Sequence, residues 1–170
     1  MCIRDSYDLG HRHIGIVTGP LVSPLSCDRL RGASTVARSH GGDDFVVVGG
    51  DFTVESGAEA ADRLLNSEHR PTAIFCFNDE MAMGVLDYAR QRGLVVPRDL
   101  SVIGFDDIRF ARYTNPPLTT IAQPMREIGE GTVKLLLSIL ANDAETPASI
   151  TLPHRLAVRG TTAPPGTQSD

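Results

Sequence analysis

Four short segments of this 170-residue chain carry the side chains best suited to chemistry: Thr18-Gly19, Gly50-Asp51-Phe52, Asn78-Asp79 and Asp106-Asp107. Three of them supply a carboxylate, one an aromatic ring and one an amide. Carboxylates accept hydrogen bonds, and an amide both donates and accepts. Such a set can hold several hydroxyls of a sugar or nucleoside in fixed directions. Phe52 offers an apolar face to a ring. Arg29 adds a guanidinium whose planar fork can clamp an anionic or hydroxyl-rich ligand. Each residue also has a plainer role open to it. Aspartates at strand ends commonly cap the helix that follows. Capping suits Asp79 in particular, and Asp107 could cap beside a ligand-directed Asp106. Arg29 could equally be a solvated surface arginine.

Catalytic and metal chemistry find little support. The chain has no GxSxG, P-loop or HExxH motif. His11-x-His13 lacks an evident third ligand, so a structural or solvated pair is expected. Gly49-Gly50-Asp51 is too short for a dinucleotide fingerprint, and the acids lack the lysine that a receiver-like magnesium site would need. The chain is therefore not read as an enzyme, and no cofactor is expected. The 16 basic and 21 acidic residues give a net charge of -5. A chain that grips nucleic-acid phosphates by itself needs the opposite balance. No apolar run approaches the roughly 18 residues of a membrane span. Met1 to Ser6 lacks the apolar core of a secretory signal. Cys2, Cys27 and Cys76 are too few and too scattered for a disulfide framework or zinc knuckle, so a reducing cytoplasm is the simplest compartment. Cys76, inside an apolar run, reads as a small core residue.

The elements that would position these residues are legible as an alternation. Apolar, β-rich runs at His13–Thr18, Phe45–Val48, Ala73–Phe77 and Ser101–Phe105 each end at one of the four segments above. They are nearly continuous in apolar character, the pattern of parallel strands covered on both faces. Between them lie helical stretches: Arg29–Ser39 after Ser26 as a cap region, Glu55–Asn66, and Asp79–Arg92 ending at Gly93. Strand–helix alternation implies βαβ crossovers and an α/β doubly wound parallel sheet. In that architecture ligands sit beyond the carboxyl ends of the strands, where the candidate residues fall. After Asp107 the texture changes. Asn115-Pro116-Pro117 breaks regular structure and Leu118–Ile121 is a short extended run. Beyond Pro124 a helix presents Ile128, Thr132, Leu135, Leu136, Ile139 and Leu140 on one face. A loop at Asn142-Asp143 follows. Ile150–Leu152 and Leu156–Val158 read as two further short strands, and the Pro/Gly/Thr/Ser tail as disordered.

A set of motifs in order makes a family resemblance specific. These are Leu9-Gly10-His11-Arg12-His13-Ile14, Gly19-Pro20, Ser26-Cys27-Asp28-Arg29-Leu30-Arg31-Gly32 and Gly50-Asp51-Phe52. Then come Phe77-Asn78-Asp79-Glu80-Met81-Ala82-Met83-Gly84 and the run from Val96-Pro97 to Gly104-Phe105-Asp106-Asp107. Pro117-Leu118-Thr119-Thr120-Ile121-Ala122-Gln123-Pro124 and Leu156-Ala157-Val158-Arg159-Gly160-Thr161-Thr162 complete it. Over residues 7–162 the chain resembles the effector-binding region of LacI/GalR transcriptional regulators. The resemblance implies a type I periplasmic-binding-protein-like fold of two subdomains with ligand in the cleft between them. It also implies a homodimer, and operator DNA bound through an N-terminal helix-turn-helix that lies outside this chain. The matching effector contacts are Arg29 and Asp106 on polar groups, Phe52 over a ring, Asn78 as an amide contact, and Gln123. Met125 falls where relatives can carry an aromatic. The divisions expected are a truncated remnant over 1–12, the C-terminal effector-binding subdomain over 13–121, and a helix of the N-terminal subdomain over 122–145. Strands returning over 146–162 and a disordered tail over 163–170 follow. Met1 to Ser6 is not expected to continue the helix that the family places before Leu9-Gly10-His11. The 125–140 helix would lack the sheet it normally covers, leaving its stripe exposed or self-associated. The alternative function is a solute-binding protein of a sugar uptake system, which shares the fold.

Overall fold

The structure, a computed structural model, describes residues 2–41, 45–141 and 149–166. In chain order the elements are α1 (Cys2–Asp8), β1 (Ile14–Thr18), α2 (Pro24–Ser39), β2 (Phe45–Gly49), α3 (Val54–Leu65), β3 (Ala73–Cys76) and α4 (Asp79–Gln91). There follow β4 (Ser101–Asp106), a 3-10 turn at Arg109–Arg112, β5 (Thr119–Ala122), α5 (Met125–Leu140) and β6 (Arg155–Ala157). One sheet runs β2-β1-β3-β4-β5-β6. The first five strands are parallel, and β6 closes the far edge antiparallel to β5. The doubly wound α/β expectation holds. The chain builds outward from β1 in both directions, so the topological switch lies there, between β2 and β3.

Burial follows the apolar runs. Every residue of β1, β3 and β5 is buried. The helices turn Ala60, Ala61 and Leu64 of α3, and Met81, Ala82, Val85 and Ala89 of α4, into the same core, at the spacing of one helical face. Strand β2 departs from the expectation of cover on both faces: Val46 and Val47 stay about 40% exposed. Its position explains this, since an edge strand pairs with β1 alone.

The helix and strand boundaries hold with four corrections. Helix α2 begins at Pro24, five residues before the expected Arg29, with Ser23 at the N-cap and Pro at the first position. Proline is well suited there, because its fixed φ matches the helix and it has no N–H to leave unpaired. Ser26 is buried inside the first turn rather than capping. Met1 to Ser6 was not expected to be helical, yet Cys2–Asp8 forms α1 and buries Ile3 and Tyr7 against the core. Ile150–Leu152 forms no strand; Arg155–Ala157 alone in that region pairs with the sheet. The tail is placed further than expected, because Ala163 exchanges hydrogen bonds with the Ser101 hydroxyl and accepts one from His11. Residues 167–170 and the Asn142-Asp143 loop lie outside the described residues.

Helix α5 has no fully buried residue. Leu136, Leu137, Ile139 and Leu140 are more than half exposed. Ile128 and Leu135, with Leu25 of α2 and Phe105 of β4, line a groove of about 630 Å³. No helix among the described residues is long and apolar enough to cross a membrane.

Candidate functional site

The carboxyl edge of the sheet carries the five residues singled out by sequence in two groups, Arg29 with Asp106 and Gln123, and Asn78 with Phe52. Arg29, on the first turns of α2, reaches across the sheet edge. Its Nη1 donates to the Phe77 carbonyl just beyond β3. Its Nη2 stands 3.8 Å from Asp106 Oδ1, and its Cζ lies 3.8 Å from the centre of the Phe105 ring. Only 11% of the side chain is exposed, so Arg29 is not the solvated surface arginine of the plainer reading. Gln123, just past β5, donates from Nε2 to the same Asp106 oxygen at 2.6 Å. Asn78 anchors the second group. Its Oδ1 accepts from the Met81 amide at 2.9 Å, capping α4, and its Nδ2 donates to the Phe52 carbonyl at 2.8 Å. The Asn78 amide is therefore engaged at both ends, as cap and as tether.

Two backbone conformations aim the site. Phe52 has φ of 75° and Asp106 φ of 119°, followed by Asp107 at 58°. These are regions that L residues rarely occupy and that persist where surrounding contacts over-determine them. At Phe52 the reason is visible at Gly19: a Cβ there would lie 2.0 Å from Phe52 Cζ. The ring packs over the end of β1, and only glycine leaves room for it.

The other strand-end acids take roles that sequence did not assign. Asp51 is exposed and accepts from the Thr53 amide at 3.0 Å and the Thr53 hydroxyl at 2.5 Å. These bonds hold its carboxyl below the usual range. Against the expectation, Asp79 does not cap α4; Asn78 does. The Asp79 carboxyl is fully buried and accepts from Thr120 Oγ1 at 2.5 Å and from the Ile108 amide at 2.8 Å. Asp107 caps nothing either. It pairs with Arg159 and lies 3.4 Å from Arg112 and 3.8 Å from Arg155. Burial raises the Asp106 carboxyl above its ordinary range, while Arg29 and Gln123 pull it back down. Burial likewise lifts Asp79 to about 6, against the two hydrogen bonds and with help from Asp106 and Asp107.

His11 is a structural histidine. Its Nδ1 lies 2.8 Å from Thr72 Oγ1 and its Nε2 2.9 Å from the Ala163 carbonyl, while His13 is exposed. Among the described residues no three of His, Cys, Asp or Glu gather as metal ligands. Sequence reasoning did not foresee that the Thr18 and Ser26 hydroxyls are buried with no hydrogen-bond partner among the described residues. It also missed Phe105 as the platform for Arg29.

The fold and this edge define a ligand-binding α/β domain. Residues 3–162 match the periplasmic binding protein-like domain, and the chain belongs to that family. Within it, the chain is an effector-binding region of LacI type. It is 42% identical over 158 residues to the HTH-type transcriptional repressor CytR of Escherichia coli strain K12, covering 92% of this chain and 46% of that protein. The dimeric lac repressor superposes with a TM-score of 0.91 at 33% identity, over 97% of this chain and 60% of that one. A LacI family regulator from Enterococcus faecium with bound ribose superposes with a TM-score of 0.85 at 31% identity, over 96% and 61%. The chain thus spans about half the length of the curated relatives it matches.

Proposed function

We propose that this chain is the effector-sensing part of a DNA-binding transcriptional regulator and that its effector is a sugar or nucleoside. The observation that carries the reading is the convergence of Arg29, Asp106 and Gln123 at the carboxyl edge of the sheet. In this reading Arg29 and Asp106 bind ligand hydroxyls or an anionic group, Gln123 shares the carboxylate, and Phe52 covers a ring face. Asn78 contributes through its hold on Phe52 and through the N–H its two bonds leave over. The relatives are transcriptional repressors, so the regulator reading is preferred to a sugar-uptake component.

The subdomain divisions carry over with it: residues 13–121 and 146–162 form one wall of the cleft, and 122–145 cross to the opposite lobe. Operator DNA would be bound by a helix-turn-helix outside these residues, in a homodimer in the cytoplasm. Closure of the cleft on ligand would alter the spacing of the two DNA-binding heads, a hinge form of allostery. In a full-length regulator carrying this chain, Asp106→Ala and Arg29→Ala should each abolish effector response and leave operator affinity within twofold. Unaltered induction in both variants refutes the site.

A further inference from the structure

Asp79 is the strand-end acid that no ligand can reach, and it stands behind the site rather than in it. We propose that Asp79 is the positioning residue of the effector pocket: by bridging Thr120 and the Ile108 amide, its carboxyl fixes the left-handed turn from which Asp106 meets Arg29 and Gln123. The proposal deepens the effector reading and rests on it for its functional meaning.

Asp106 and Asp107 are consecutive residues with positive φ, at 119° and 58°. Such a pair persists only where contacts hold it. Asp79 supplies contacts on both sides of the turn. Its Oδ2 accepts from the amide of Ile108, the residue that follows it. Its Oδ1 accepts from Thr120 Oγ1, and that same hydroxyl oxygen accepts from the Asp107 amide at 3.4 Å. The carboxyl occupies space that only a glycine on β4 leaves open, because a Cβ at Gly104 would stand 2.2 Å from Asp79 Oδ1. The far side of the turn is held by Arg159, Arg112 and Arg155 on Asp107. One dipeptide then serves two of the candidate residues: Asn78 tethers Phe52 while Asp79 sets Asp106.

The groups facing Asp79 are Asp106 and Asp107 from the end of β4, the buried Cys76 thiol from β3, and the Thr120 and Ile108 donors, with Arg159 balancing Asp107. Two acids and burial bring its titration close to neutrality, at about 6. Gain of a proton there changes which partner donates at Thr120, and the turn should register it.

Nuclear magnetic resonance on the isotopically labelled chain tests this without a ligand. The Ile108 backbone amide and the Gln123 side-chain amide should share one titration step with a midpoint of about 6, separate from any step belonging to Asp106. Asp79→Asn should erase that shared step in both. It should also keep the Gln123 resonance near its folded position, since an Asn can donate to Thr120 and accept from Ile108. Asp79→Ala should move the Gln123 resonance toward that of a free glutamine. A step at Ile108 with none at Gln123, or a Gln123 resonance unmoved in Asp79→Ala, overturns the proposal. Should the Ala variant fail to fold, Thr120→Val serves: displacement of Gln123 is expected, and an unmoved resonance overturns it. Calorimetric titration with ribose and uridine of a full-length regulator carrying this chain, as parent and with the same substitutions, forms the second arm. Binding at least tenfold weaker in Asp79→Ala than in the parent, with recovery to within threefold in Asp79→Asn, is expected. Absence of heat in every sample, with the resonance coupling intact, strikes the effector reading and leaves the turn assignment standing.

Discussion

Asp79→Asn should stabilise this protein above neutral pH and not below pH 4. A carboxyl whose folded pKa is raised holds its proton more tightly in the folded state than in the unfolded chain. Its contribution to stability is therefore fully present at low pH and is lost as pH rises through the folded value. Here the window runs from the ordinary 3.8 to about 6. A difference of about two units, at about 1.4 kcal/mol each, sets a ceiling of about 3 kcal/mol on the cost of keeping the residue ionised at pH 7.5. Asn removes the charge and keeps both neighbours paired, so a gain of about 1–3 kcal/mol is expected. For a chain of this length that is a rise in melting temperature of about 3–9 °C. Thermal or urea melts of both proteins between pH 4 and 8 give the answer. The two curves should meet near pH 4 and separate as pH climbs. A variant less stable than the parent at pH 7.5, or a gap that does not change with pH, would refute the reasoning.

Three further outcomes follow from other contacts. Gly19→Ala should displace the Phe52 ring, since the new Cβ would meet it at 2.0 Å; a crystal structure showing the ring unmoved, or a stability loss under about 0.5 kcal/mol, contradicts this. Thr18→Val replaces a buried hydroxyl that has no partner among the described residues with a methyl of similar size. It should be neutral or stabilising by up to about 1–2 kcal/mol in urea titrations, and a clear loss would mean that the hydroxyl is paired. The isolated chain should self-associate at micromolar concentration through α5, and Leu137→Glu with Leu140→Glu should return it to a monomer. Sedimentation velocity that finds the parent strictly monomeric removes that expectation.

The first four strands were legible because each is a short, nearly unbroken apolar run. Which run lies at the edge was not, because Phe45–Val48 reads the same whether it has one neighbour or two. The α2 start was hidden by weighing Ser26 as a cap and overlooking Ser23-Pro24, whose types announce a first turn. The types at the strand ends were legible: Arg29 does meet Asp106, and Asn78 does hold the Phe52 carbonyl. Asp79 was misassigned for a definite reason. Local propensity sees the helix that begins at residue 79, but the partners that claim the carboxyl, Ile108 and Thr120, lie 29 and 41 positions away. Gln123 entered through family resemblance alone, for its bond to Asp106 spans 17 residues and a strand crossover.

The bed on which Arg29 rests has a kinetic meaning. A free arginine side chain carries about 2 kcal/mol of rotameric freedom. Pinned between an aromatic ring, a main-chain oxygen and an acid, it surrenders that freedom when the chain folds. If the proposed effector binds there, it meets a fork already held in place, so little motional entropy is lost on association, and differences among effectors should show mainly in how fast they leave.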